Sequence, residues 1–90
     1  MMYPYITLAD ETMIVHSELR NNSDGDYVEV HFERPLETGG FKSARAVLPS
    51  YKWLSNEGFS QEELDFFTEL LEHNAHTIFK YAKCGGIQIA

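Results

Sequence analysis

The chain has a single cysteine, Cys84, among its 90 residues. No disulfide can close within it, which fits a reducing compartment. Cations are also scarce: seven Lys and Arg face fourteen Asp and Glu, for a net charge of −7. Affinity for nucleic acid rests on Lys and Arg neutralising phosphates, so neither nucleic acid nor an anionic membrane is expected as a partner. No run approaches the ~20 apolar residues that span a bilayer. The first residues, MMYPYITLADE, lack the basic region and apolar stretch of a signal peptide. A cytoplasmic protein is expected. There is no internal repeat and no metal-ligand spacing motif. No serine stands in a nucleophile elbow, and Gly39-Gly40 is too little for a phosphate loop. No catalytic residue and no cofactor is indicated, and nothing specifies an enzyme.

What is present is an ordinary globular composition, 43% hydrophobic and 23% charged, with a generous 13% aromatic. Residues 1–90 make one domain with a modest core. The stretch from Phe59 to Gly86 reads as one long amphipathic helix, over about 61–84. Ser60 is a natural N-cap with Glu63 three residues on, a capping box, and Phe59 and Leu64 can staple around it. Glu62, Glu63 and Asp65 suit the positive end of the helix dipole, and Lys80 and Lys83 suit the negative end. Gly85 would end the helix. Leu64, Phe67, Leu71, Ala75, Ile78 and Ala82 follow steps of three and four, so they share a face that must be buried. At 1.5 Å per residue such a helix extends roughly 36 Å, against ~17–20 Å for a typical strand. An overhanging apolar end is therefore expected to meet a partner, with Ile78, Phe79 and Tyr81 as its partner-binding residues.

Upstream, strands are expected at about 5–8, 12–19, 27–34 and 41–48, with a connecting segment over 49–59 in which Tyr51, Trp53 and Leu54 cover a core edge, as in a single helical turn. Val28, Val30 and Phe32 alternate with Glu29, His31 and Glu33. A tight turn at Asp24-Gly25 pairs residues whose numbers add to 49, or to 47 with a wider loop. Either choice puts Met13, Val15 and Leu19 on the face of Val28, Val30 and Phe32. Residues 87–90 are expected to fray or to form a strand stub. The expected fold is α+β: an antiparallel β-meander of three to four strands with one long C-terminal helix packed on one face.

The same register places His16 and His31 together on the polar face, near Glu18, Glu29 and Glu33. Two imidazoles and a carboxylate there could hold a metal, set against the plainer reading of a solvated sheet face. His73 and His76 lack the four-residue spacing of zincin helices; Glu69 with His73 and Glu72 with His76 read as surface pairs. Cys84, at the negative end of the helix dipole, reads as an incidental thiol.

The pieces VEVHFE (28–33), ARAVLP (44–49) and LDFFTELLEHNAHTIFKYAKCGG (64–86) resemble, in order, a small bacterial family of no assigned function. Its members have a hairpin with a His-containing strand, a strand ending in Leu-Pro and a long helix, and they are encoded beside toxin–antitoxin-like partners. The resemblance implies a protein partner and no named reaction. NNSDGD (21–26) replaces the Pro- and His-rich turn of that family, and no functional residue carries across. Three readings follow. The chain is a protein-interaction or regulatory module that binds a protein partner or itself; or a metal- or small-ligand domain using His16 and His31; or a toxin-like nuclease, which would need a basic pocket around Arg34, Lys42, Arg45 and Lys52.

Overall fold

The computed structural model describes residues 2–84. It is α+β, an antiparallel sheet with one C-terminal helix, but it has six strands instead of three or four: β1 (Met2–Thr7), β2 (Met13–Ser17), β3 (Arg20–Asn22), β4 (Gly25–Pro35), β5 (Phe41–Leu48) and β6 (Lys52–Glu57), followed by α1 (Gln61–Cys84). The main sheet runs β1-β2-β4-β5-β6, a meander, while β3 extends the hairpin arm on β4. The expected ends of β5 and α1 coincide with the observed ones. Gly85 as helix stop and residues 87–90 lie outside the described residues.

The segment expected as a connection is a strand. Its alternation is hidden by a bulge: Arg45 pairs with Ser55 and Ala46 with Trp53, so Leu54 is an extra residue on β6. Trp53 turns inward, and its Nε1 donates to Thr68 Oγ1 at 3.1 Å. Leu54 is left exposed.

The capping box forms in both directions. The Ser60 amide donates to Glu63 Oε1 (3.2 Å) and the Glu63 amide to Ser60 Oγ (3.1 Å). Leu64, Phe67, Leu71, Ile78 and Ala82 are buried along one stripe. They meet Val28, Val30 and Phe32 of β4 and Ala44, Ala46 and Leu48 of β5 in a single core. Phe32 and Phe67 stack at 4.4 Å, and Phe59 meets Phe67 edge-on at 5.1 Å. Each such side chain, fully buried, stabilises the fold by ~1.5–3 kcal/mol.

The helix crosses the sheet diagonally. Near its start, Thr68 meets Trp53 of β6; further along, Tyr5 of β1 donates to Asn74 Oδ1 (2.6 Å) and packs 6.2 Å from Tyr81. It does not overhang a short sheet. β4 has eleven residues, about 36 Å at ~3.3 Å each, as long as the helix itself. Ile78 is accordingly fully buried, and Phe79 and Tyr81 are half-buried. The expected free apolar end is part of the core.

Candidate functional site

The central hairpin carries the main correction to the expected site. At its tip the paired residue numbers add to 47, with Arg20 opposite Tyr27 and Asn22 opposite Gly25, but through a two-residue turn on Ser23-Asp24 and not a wider loop. In the body Ile14 faces Phe32 and His16 faces Val30, one residue out of step with the tip. The extra residue lies between Ser17 and Arg20. Backbone groups displaced there find other partners, as buried amides must. The Glu29 amide donates to Ser17 Oγ (3.0 Å), and the Leu19 amide leaves the ladder for the Ala82 carbonyl in the last turn of α1 (3.2 Å).

The slip exchanges the faces of β2. Thr12, Ile14 and His16 point inward; Met13 is exposed and Val15 half-buried. His16 is 0% exposed, with the Tyr3 and Tyr5 rings 5.7 and 6.4 Å away. Its Nδ1 lies 2.8 Å from the Ser17 carbonyl, so Nδ1 carries the hydrogen, and Nε2 is buried with no hydrogen-bond partner among the described residues. His31 stays on the outer face. His16 and His31 therefore do not form the expected pair, and among the described residues no group of three His, Cys, Asp or Glu side chains is placed to share a metal.

Among the described residues nothing covers the face of the sheet opposite the helix, and His31 belongs to it. Across β4, β5 and β6, His31, Arg45 and Ser55 form one row, and Glu33, Ser43 and Glu57 form the next. They line a shallow concavity of about 270 Å³. Arg45 donates to Ser55 Oγ at 3.2 Å and lies 3.8 Å from Glu29. Glu29 also takes Arg20 Nη1 at 2.7 Å and stands 3.4 Å from His31 Nε2. The side chains of Glu33 and Glu57 have no hydrogen bond or ion pair among the described residues. They flank Ser43 from either side, two strand spacings or ~10 Å apart. Phe41, two residues before Ser43 on the same face, is 58% exposed.

Both sheet edges are blunted. β1 carries Pro4 and a bulge at Tyr5, and β6 carries the bulge at Leu54. Proline and bulges interrupt the free row of donors and acceptors that an added strand would need.

The cations do not gather. Arg45 is on the outer face. Arg34 ties the end of β4 to the helix start, with Nε to Thr12 Oγ1 (2.9 Å), Nη2 to Asp10 Oδ2 (2.7 Å) and Nη1 to Glu63 Oε2 (2.6 Å). Lys42 Nζ lies 3.7 Å from Glu63. Hydrogen bonds from Thr12, with Arg34 beside it, hold the Asp10 carboxyl below its ordinary range. Partial burial alone would raise Glu63, but the Ser60 amide, Arg34 and Lys42 outweigh it and hold that carboxyl low as well. The cluster is a charge-balanced clasp, with Arg34 and Lys42 on the helix side of the sheet and Arg45 on the other.

Of the residues expected to bind a partner, Ile78 is in the core, Tyr81 packs toward Tyr5, and Phe79 lines a shallow concavity with His76, Lys80 and Lys83. No hydrogen bond or ion pair joins Glu69 to His73 or Glu72 to His76 among the described residues. The outer-face row was half visible in the sequence, since the alternation of β4 placed Glu29, His31 and Glu33 outward. Its other half needed β6, which the bulge concealed. No family model matches the chain, and neither the curated proteins nor the solved structures compared with it give a match.

Proposed function

We propose that this chain is a protein-interaction module that docks its partner on the uncovered face of the sheet, between Glu33 and Glu57 and beside Phe41. The partner is a protein segment that presents a cationic side chain next to an apolar one. The observation that carries this reading is the pair of uncompensated carboxylates flanking Ser43 with an exposed phenylalanine next to them. Two like charges ~10 Å apart repel weakly, and both gain when one cation enters between them. The phenylalanine supplies the desolvated contact that gives such a contact its strength. Blunted edges favour docking on the face over addition of a strand.

The test is a titration of the isotope-labelled protein with a short Leu-Arg peptide, followed by amide chemical shifts. The expected result is a saturable set of shifts centred on Glu33, Ser43 and Glu57 that disappears in Glu33→Gln/Glu57→Gln and weakens in Phe41→Ser. Shifts that avoid these residues, or that survive the double substitution, would overturn the reading.

A further inference from the structure

The solvent side of α1 carries a charge pattern that the core does not explain and the helix dipole explains only at its two ends. Its first half presents Glu62, Asp65, Glu69 and Glu72, all exposed. The side chains of Glu62, Glu69 and Glu72 have no hydrogen bond or ion pair among the described residues, and Asp65 has only a hydrogen bond from Gln61. Steps of three and four make each carboxylate a neighbour of the next, and like charges at those spacings destabilise a helix. The dipole favours acids only within the first turn, which leaves Asp65, Glu69 and Glu72 uncompensated. The second half presents Lys80 and Lys83, exposed and also without an ion pair among the described residues, together with exposed His73 and His76.

The spacing of the second half mirrors that of the first. When a copy of the helix is laid antiparallel about a point between Glu72 and His73, Glu62 falls opposite Lys83, Asp65 opposite Lys80, Glu69 opposite His76 and Glu72 opposite His73. Every carboxylate meets a basic side chain, and two-fold symmetry repeats each match. Phe66, 54% exposed, flanks the strip and adds apolar contact that ion pairs in water lack. We infer that α1 docks antiparallel on α1 of a second copy of this chain through this strip. The strip lies on the far side of the molecule from the uncovered sheet face, so the two proposals stand or fall separately.

The test is the solution mass of the full chain and three charge variants, measured by sedimentation equilibrium over a wide concentration range. Glu62→Lys/Asp65→Lys makes both ends of the strip basic, and Lys80→Glu/Lys83→Glu makes both ends acidic. The fourfold exchange of all these residues restores the match and leaves the net charge at −7. The wild-type mass is expected to rise from 10.3 kDa toward twice that value with concentration. Each double variant alone should stay monomeric, an equimolar mixture of the two should associate, and the fourfold exchange should associate like wild type. Far-UV circular dichroism verifies that each variant keeps its helix. A wild type that stays monomeric throughout, as expected if a foreign basic partner covers the strip, overturns the proposal. So does an equimolar mixture of folded variants that fails to associate.

Discussion

Two phenylalanines show how burial divides the work of similar side chains. Phe32 is fully buried and stacked on Phe67, whereas Phe41 is largely in water. Phe32→Ala removes transferred surface and leaves a cavity, so a loss of ~3–5 kcal/mol is expected from urea denaturation. Phe41→Ser should change stability by no more than ~0.5 kcal/mol, which separates a folding role from a binding one. Ser17 is the less obvious case. Its hydroxyl is the acceptor for the Glu29 amide where the ladder is out of step. Ser17→Ala leaves that amide unpaired, and a loss of about 1–3 kcal/mol is expected, together with faster hydrogen exchange at Glu29. An unchanged Glu29 exchange rate would mean that another group takes over as acceptor.

The elements differed in how plainly the sequence announced them. α1 was legible end to end, because Ser60 and Glu63 mark its start and a regular stripe from Leu64 to Ala82 marks its face. Those signals are local and redundant. Ser60→Ala should cost ~1 kcal/mol, the usual worth of such a cap, read as a shift in the denaturation midpoint. β4 was legible from the alternation of Val28 to Glu33, and β5 from the Gly39-Gly40 and Pro49 that bound it. β6, β1 and β2 were misread in whole or part, and each carries or adjoins a bulge. A single extra residue exchanges the two faces, so Met13 and Val15 looked like core while Thr12, Ile14 and His16 are the inward set. The metal site expected at His16 and His31 depended on that alternation and fell with it. Nothing near Ser17 announces the slip, and the partner that the displaced Leu19 amide finds, the Ala82 carbonyl, is distant in sequence.

For the molecule as a whole, the clasp around Arg34 sets how stability depends on acidity. Asp10 and Glu63 both have lowered pKa values in the folded state. The unfolded chain therefore takes up these protons first on acidification. The stabilisation they give is complete above the ordinary carboxylate range of ~4 and is lost as pH falls through and below it. Arg34→Met removes the shared cation, so its cost should be largest near neutrality and shrink as pH falls below the ordinary carboxylate range and through the lowered pKa values of Asp10 and Glu63. A cost independent of pH would mean that Arg34 acts through packing on Phe59, whose ring lies 5.2 Å from its guanidinium. The bulge between Ser17 and Arg20 has a further consequence. It is the sole offset between two ladders that are each regular, His16 opposite Val30 on one side and Arg20 opposite Tyr27 on the other. Deleting Glu18 outright would let Ser17 sit opposite Glu29 and Leu19 opposite Val28 while both ladders keep their present partners. A mid-strand deletion, ordinarily ruinous, should here yield a folded chain with its core unchanged, losing the tie from Leu19 to the end of α1, the Ser17 hydroxyl bond to the Glu18 carbonyl and the Arg20–Glu18 ion pair.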